Sequence, residues 1–279
     1  MHYCEHSPSP VLARYLEAFW FVTDQGASAP SGPERVLPDG CIEWIFHLDS
    51  PFQRLVSETF ETQCRSFVVG ELTQFILLQP TGRTNTMGVR FRPGGAYRFM
   101  PTPLNLLTDE TVATEDIWGM DGKFLEEAVL EAANDLERIE LIEQFLIARL
   151  HITAARPRFE AAVREIVSSR GQHRIEHIAE IIGWSPRQLE REFRASAGLS
   201  PKALARVIRF QSLLQLVGEN RLRDWVDLAL TTGYADQPHM VREFREFCGQ
   251  TPTEQINTPG NLAHHFVSPH RIAALLGTS

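Results

Sequence analysis

The chain has 279 residues, 43% of them hydrophobic, and a formal net charge of −8 at pH 7. Its length predicts two packed domains. No apolar run approaches the ~18 residues that span a bilayer, and the first residues lack the basic and apolar segments of a secretory signal. The four cysteines form no Cys-x-x-Cys pair, which argues against disulfides and a zinc site. We therefore expect a cytoplasmic protein with no membrane partner.

The charge is distributed unevenly along the chain. Residues 156–257 contain 15 Lys and Arg against 13 Asp and Glu, a balance of +2, whereas the rest of the chain carries −10. An acidic front part and a mildly basic, arginine-rich back part predict different partners for the two. The small basic excess predicts weak non-specific binding to nucleic acid.

Residues 1–118 contain short segments rich in β-branched and aromatic residues, separated by turn-forming clusters. The predicted strands cover residues 16–24, 41–48, 65–72, 75–80 and 86–94. Short strands at near-regular spacing are typical of a β-barrel or a sandwich. The first residues, which include His2 and His6, are expected to be mobile because they form a terminal segment.

Alternation along the strands gives each a polar face. In residues 41–48, one face carries Ile42, Trp44, Phe46 and Leu48, and the other carries Cys41, Glu43, Ile45 and His47. The polar faces either contact solvent or line a cavity inside the domain. In the second case, a pocket for a small polar or anionic molecule would be formed by Glu43, Trp44, His47, Arg90 and Arg92.

The front domain offers little for catalysis. Its histidines are not paired within a strand, so we expect no metal site; they are His2, His6, His47 and His151. The sequence has neither a Gly-rich phosphate loop nor a nucleophile elbow. We predict no catalytic residue, no metal and no cofactor, and hence a protein that is not an enzyme.

Residues 119–150 predict one or two amphipathic helices. The apolar positions that recur near helical spacing are Leu125, Val129, Leu136, Ile139, Ile142, Leu146 and Leu150. This stripe either packs on the front domain or forms a dimer contact, and both interpretations stay open. After these helices we predict a linker at 151–158, a helical domain at 159–257 and a tail of no assigned role at 258–279.

The helical domain contains one helix–turn–helix pattern twice. Ala179 and Gly183 recur 50 residues later, and Phe193, Gly198 and Pro201 recur 51 residues later. One residue has therefore been inserted in the second turn, while the flanking helices keep their register. A duplicated unit predicts two helices that can each enter a DNA major groove.

The second helix of each unit has a clear predicted start. Ser185 and Asp236 are preferred N-cap residues, Pro186 suits the first helical position, and Gln188 completes a capping box. The start of the first helix of the first unit is predicted less clearly, because residues 172–174 offer no good N-cap. The side chains expected to face inward are Leu189, Phe193, Met240 and Phe244.

These residues resemble the AraC/XylS family of bacterial transcription regulators. The unit endings GLSP (198–201) and GQTP (249–252) match, as does the stretch ADQPHMVREFREFCGQTP, and residues 201–218 match the joining helix. The resemblance covers about a hundred residues. DGCIEWIF and GVRFRPGGAYRF more loosely resemble one cupin-like sensor subgroup. Together they imply an α+β, two-domain protein with a cupin-like β-barrel before an all-α domain of two helix–turn–helix units.

The resemblance also implies which side chains face bases. They are Arg187, Glu190 and Arg191 in the first unit, and Gln237, Pro238, Val241 and Arg242 in the second. Arginine pairs bidentately with guanine and glutamine with adenine, whereas Pro238 and Val241 have little hydrogen-bonding capacity. The full predicted DNA-contacting set is Arg187, Gln188, Glu190, Arg191, Arg194, Gln237, His239, Arg242 and Arg245. The alternative is a solvated surface on which Glu190, Arg191 and Arg194 pair with each other.

We therefore predict a sequence-specific regulator of transcription that binds double-stranded DNA, forms a homodimer and responds to a small-molecule effector in its front domain. A second interpretation is a ligand-independent regulator whose front domain only dimerises or binds a protein partner. A third, from another class, is a DNA-repair or other enzyme fused to a DNA-binding domain, against which the scattered cysteines argue.

Overall fold

In this computed structural model, the described residues are 2–24, 32–150, 152, 154–218 and 224–257. Strands occupy the front part and helices the back part, so the predicted α+β class is confirmed. The strands are β1 (His2–His6), β2 (Leu16–Asp24), β3 (Glu34–Val36), β4 (Glu43–His47), β5 (Phe52–Val56), β6 (Thr59–Thr62), β7 (Ser66–Val69), β8 (Ile76–Pro80), β9 (Thr84–Phe91) and β10 (Thr111–Ala113).

The strands form two antiparallel sheets. The first has the order β1-β2-β9-β4-β7-β10 and the second the order β3-β8-β5-β6. The expected β-barrel is thus corrected to two sheets that do not close into one barrel. Between them lies an apolar cluster that joins Trp20, Ile45 and Phe67 of the first sheet to Phe52 of the second. The central strands β2, β4 and β9 of the first sheet are mostly buried, because helices cover its other side.

The first strand is a correction to the sequence analysis. Residues His2 to His6 pair with β2 in unbroken antiparallel register, from His2 opposite Thr23 to His6 opposite Phe19. The segment is therefore an edge strand and not a mobile terminus, because β2 supplies its backbone partners. Strands β3, β5, β6 and β10 were also not predicted, since they are short and lack strong apolar alternation.

Three helices follow the sheets: α1 (Thr114–Trp118), α2 (Met120–Glu131) and α3 (Asp135–Leu150). Trp44 of β4 contacts them, with ring centroids 4.5 Å from Trp118 and 5.5 Å from Phe145. Its indole N–H donates to Thr114 Oγ1 at 2.8 Å. The predicted amphipathic segment thus packs on the first sheet, although Leu136 of its apolar stripe is 67% exposed.

The back part is helical, and its first helix begins at Pro157, inside the segment predicted as a linker. Its helices are α4 (Pro157–Ser168), α5 (Ile175–Ile182), α6 (Pro186–Ala197), α7 (Pro201–Gly218), α8 (Trp225–Thr231), α9 (Gln237–Cys248) and α10 (Pro252–Asn257). Helix α7 is the joining helix over the range that the sequence predicts. The tail at 258–279 lies outside the described residues, as does His151.

The sheets contact the helical part along a seam formed by Pro38, Gly40, Phe75 and Thr108. Gln211 of α7 donates from Nε2 to the Pro38 carbonyl at 2.6 Å. The hydroxyl of Thr108 donates to the Gly198 carbonyl at 2.7 Å. Gly40 and Phe75 lie against α7 and the end of α9, respectively. One continuous hydrophobic core runs through both parts.

Candidate nucleic-acid interface and ligand cavity

Helix α6 begins at a complete capping box. The Gln188 N–H donates to Ser185 Oγ at 3.3 Å, and the Ser185 N–H donates to Gln188 Oε1 at 3.0 Å. The helix ends at Gly198, whose φ of +82° is left-handed. Gln188, predicted to contact DNA, is exposed, but its amide oxygen is used by the cap.

Helix α9 repeats this construction. Asp236 accepts a hydrogen bond from the His239 N–H at 2.7 Å, and Gly249 ends the helix with a φ of +71°. By contrast, α5 begins at Ile175, and Arg174 before it provides no side-chain cap, as the sequence predicts. Two equivalent second helices are therefore fixed at both ends by local hydrogen bonds.

The inward and outward faces of these helices divide as expected. The side chains in the core, all fully buried, are Leu189, Phe193, Met240 and Phe244. The predicted DNA-contacting residues that are exposed are Arg187, Gln188, Arg191, Arg194, Arg242 and Arg245; those that are half-buried are Glu190, Gln237 and His239. Each unit thus presents arginines to solvent from a helix whose opposite face is packed.

Acidic residues already pair with some of these arginines. Arg194 Nε donates to Glu190 Oε1 at 2.9 Å, one helical turn apart, and Arg191 Nη2 lies 3.4 Å from Glu192 Oε1. This is the pairing expected of a solvated face. Exposed pairs of this kind are worth about 0.3–0.5 kcal/mol, so a phosphate or a base can displace them.

The two units also touch each other directly. Gln172, in the turn before α5, donates from Nε2 to the Thr231 carbonyl at the end of α8, at 3.1 Å. A groove of about 750 Å³ runs beside this contact, and its basic lining residues are His173, Arg174, Lys202, Arg206, Arg209, His239 and Arg242. The position of α9 relative to α5 is thus set by this contact as well as by α7.

Several basic residues in this groove were not singled out from the sequence. Arg174 and Lys202 are exposed and share the groove with Arg242. Arg206 and Arg209 are held differently, because both contact the buried carboxylate of Glu243 at 2.7 and 3.2 Å. Their role is structural. Arg174 could have been identified from the sequence, because it directly precedes the first helix of the first helix–turn–helix unit.

A cavity of about 90 Å³ lies between the two sheets. Its lining residues are Trp20, Val22, Glu34, Val36, Leu37, Asp39, Cys41, Glu43, Ile45, His47, Phe52, Gln63, Phe67, Val69, Gly70, Leu72, Ile76, Leu78, Thr84 and Thr86. Most are apolar. The polar face of β4 therefore lines a cavity and does not contact bulk solvent.

Of the predicted pocket residues, only Glu43 and His47 line this cavity. Trp44 lies on the opposite face of β4, because side chains alternate along a strand, and packs on α1 and α3. Arg92 donates from Nε to the Ala13 carbonyl at 2.9 Å and lies away from the cavity. The predicted placement of Trp44 and Arg92 in one pocket with Glu43 and His47 is thus wrong.

Arg90 lies behind the cavity, at the centre of a buried ion network. Its guanidinium contacts Asp39 and Glu43 at 2.6 Å and Glu17 at 3.1 Å. Three carboxylates therefore surround one cation, and in the described part of the chain no Lys or Arg lines the cavity. The sequence predicts a pocket for a small polar or anionic molecule, and the cation that would attract an anion, Arg90, is already paired with carboxylates.

Burial shifts the titration of the two predicted residues that line the cavity. Desolvation raises the pKa of Glu43 to about 7, although Arg90 opposes the shift. Desolvation also lowers the pKa of His47 to about 4, so the imidazole is neutral at neutral pH. Its ring nitrogens lie 3.3 Å from Thr86 Oγ1 and Gln63 Oε1.

Two further properties concern the described part of the chain as a whole. Within it, no group of three or more His, Cys, Asp or Glu is arranged to hold a metal ion. None of its helices has the length and apolar character needed to cross a membrane.

Comparisons with known proteins agree with the two-part organisation. Residues 178–257 match a family model described as a helix-turn-helix domain, and residues 4–113 match one described as a domain of unknown function (DUF6597). No curated protein sequence matches the chain.

Solved structures similar to the chain include three from bacteria. ToxT from Vibrio cholerae is 12% identical, with 86% of this chain and 98% of that chain aligned and a TM-score of 0.47. Unsaturated fatty acid bound wild-type ToxT from Vibrio cholerae strain SCE256 is 11% identical over 85% and 94%, with a TM-score of 0.43. A transcriptional regulator from Chromobacterium violaceum, with an AraC-type DNA-binding domain, is 28% identical over 37% and 96%, with a TM-score of 0.34.

Proposed function

We propose that this chain, a DNA-binding regulator with an AraC-type helix-turn-helix domain at residues 178–257, recognises a specific double-stranded DNA sequence under the control of a small molecule. Helices α6 and α9 would read the DNA, and the cavity between the sheets would hold the effector. The observation that carries the proposal is the pair of equivalent capped helices, each with exposed arginines opposite a buried aromatic face.

The spacing of the two units supports simultaneous contact with DNA. One continuous helix, α7, joins them, and the hydrogen bond from Gln172 to Thr231 fixes them a second time. Units held in this way would enter successive major-groove segments about 34 Å apart. Arg187, Arg191 and Arg242 would contact base edges, and Arg194 and Arg245 phosphates.

A gel-shift titration with DNA selected by the wild-type chain tests this assignment. Arg187→Ala and Arg242→Ala should each weaken binding about 5- to 150-fold, since a bidentate base contact is worth about 1–3 kcal/mol. The matched control is Arg83→Ala, which removes an exposed arginine from the sheet part. The assignment fails if the two helix variants bind like this control.

Control by a small molecule is supported by a loop that is shared between the cavity and the helical part. Leu37, Asp39 and Cys41 line the cavity. Between them, Pro38 accepts the hydrogen bond from Gln211 of α7, and Gly40 lies against Leu204 and Ile208 of the same helix. A molecule that moves this loop therefore acts directly on the helix that joins the two units.

A second connection runs from the cavity to the second unit. Leu72 and Ile76 line the cavity, and the neighbouring Phe75 lies against Gly249 at the end of α9. Both connections belong to the seam, so the occupied and empty cavity would favour different positions of α7 and α9. Coupling of this kind is typically about 1–3 kcal/mol.

Filling the cavity tests this coupling before the effector is known. Val22→Phe places a larger side chain in the cavity and should change the affinity for DNA about 5- to 150-fold. Val56→Phe, on a strand of the second sheet outside the cavity lining, is the matched control. A folded Val22→Phe protein that binds DNA as tightly as the wild type would contradict the proposed coupling.

Homodimer formation is also part of the proposal. Met120 and Phe124 lie one turn apart on α2 and are 53% and 60% exposed. This exposed apolar face supports a contact with a second copy of the chain. Sedimentation equilibrium should give twice the chain mass for the wild type and a lighter species for Phe124→Asp. A wild-type chain that is monomeric at micromolar concentration would rule out the dimer.

A further inference from the structure

The polar wall of the cavity carries one sign of charge. Asp39, Glu43 and Glu34 line it, and none of the described residues that line it is Lys or Arg. The cation that faces Asp39 and Glu43 is Arg90, which also contacts Glu17. One guanidinium thus faces three carboxylates, those of Asp39, Glu43 and Glu17, and the network keeps excess negative charge where Asp39 and Glu43 line the cavity.

The accessible part of this network is the acidic part. The side chains of Asp39 and Glu43 remain 16% and 15% exposed, whereas that of Arg90 is 2% exposed. A molecule in the cavity therefore meets carboxylate oxygens and not the guanidinium. Anions are disfavoured there, since no cationic side chain of the described residues is exposed to the cavity.

The remainder of the cavity is suited to an apolar body. Trp20, Ile45 and Phe67 of the first sheet form one apolar cluster with Phe52 of the second sheet, and Val22 and Leu78 extend the lining. The volume of about 90 Å³ is smaller than the cavity of about 150 Å³ that holds benzene. It fits a ligand with a compact hydrocarbon body of about three or four carbon atoms.

We propose that the cavity binds a small organic cation, a protonated amine on a short apolar body, with the ammonium group at Asp39 and Glu43. The inference rests on the proposed role of the cavity as the effector site and names the chemical class of the effector. The ammonium donates up to three hydrogen bonds, and the carboxylate oxygens accept them. The apolar body displaces water from the Trp20, Ile45 and Phe67 wall.

Burial opposes the ionisation of these carboxylates, and a bound cation would offset that cost. Desolvation raises the pKa of Glu43, and the groups around it are Arg90, Asp39 and Glu17, with Glu34 and His47 on the same cavity wall. A bound ammonium adds a second positive charge to a network that contains one. Binding should therefore lower the pKa of Glu43.

Calorimetric titration of the full chain at pH 7.5 tests the ligand class with three small probes of one shape: isopropylamine, isopropanol and isobutyrate. The expected result is measurable binding of the amine, at least tenfold weaker binding of the alcohol and none of the carboxylate. Equal or tighter binding of the carboxylate overturns the proposal, and so does a failure of the amine to bind.

Two variants locate the ammonium. Glu43→Gln should weaken amine binding at least tenfold, and Glu17→Gln, which removes the same charge from the Arg90 network but lies outside the cavity lining, should weaken it less than threefold. Equal effects would place the cation elsewhere and overturn the assignment. These titrations contain no DNA, so a failed ligand class leaves the gel-shift result for DNA recognition untouched.

Discussion

The contact between Phe75 and the end of α9 can be measured with two glycines that share one backbone conformation. Gly249 and Gly183 are left-handed helix ends with φ of +71° and +69°. A Cβ at Gly249 would lie 2.4 Å from the Phe75 ring, whereas a Cβ at Gly183 meets nothing within 4 Å. The left-handed conformation costs an alanine about 1 kcal/mol at either position. Displacing the Phe75 ring adds about 1–3 kcal/mol at Gly249 alone.

Urea unfolding of the full chain, followed by circular dichroism, gives both values. Gly183→Ala should lower the free energy of unfolding by about 1 kcal/mol, and Gly249→Ala by about 2–4 kcal/mol. The double variant Gly249→Ala with Phe75→Ala should lose the clash, so the glycine substitution should cost less in that background. The reasoning is refuted if the two single substitutions cost the same, because the seam then makes no contact at Gly249 in solution.

Three further predictions concern stability. Arg90→Met leaves its three carboxylate partners buried without a cation. It should therefore lower the free energy of unfolding by about 3–5 kcal/mol at pH 8 and by less at pH 5, where the carboxylates take up protons. Equal losses in urea unfolding at the two pH values would contradict this. Because the pKa of His47 is lowered to about 4, its contribution is present above pH 6.5 and lost as the pH falls towards 4. His47→Asn should therefore flatten this acid loss of about 3 kcal/mol in melts from pH 7 to 4, and an unchanged pH profile would reject the cause. Ser185→Ala removes a helix cap and should lower the free energy of unfolding by about 1 kcal/mol, whereas Ser185→Asn should restore most of it; equal stability of both variants would contradict the capping box.

The helix pairs were predictable because their determinants are local. The caps at Ser185 and Asp236 and the glycines at 183, 198 and 249 lie next to the elements that they end, so residue spacing alone indicates them. The buried positions follow from helical periodicity in the same way. Joining helix α7 was predictable for the additional reason that both of its ends resemble a known pattern.

The sheets were harder to predict, because their contacts join residues far apart in sequence. Alternation placed Glu43 and His47 on one face of β4, but it could not tell a cavity from solvent. It also could not show that Arg90 is paired with carboxylates from other segments and is therefore not available to attract an anionic molecule. Strand β1 was missed because its partner β2 holds it in place, and its own composition is polar.

Selection of bound DNA from a random library, with the full-length chain at a stated salt concentration, tests the central claim most directly. We expect two enriched segments about one helical turn apart. Arg191→Ala should relax base preference in one segment and Arg242→Ala in the other. Enrichment of no sequence, or of a single segment that neither substitution changes, would contradict the binding of DNA by two coupled helix–turn–helix units.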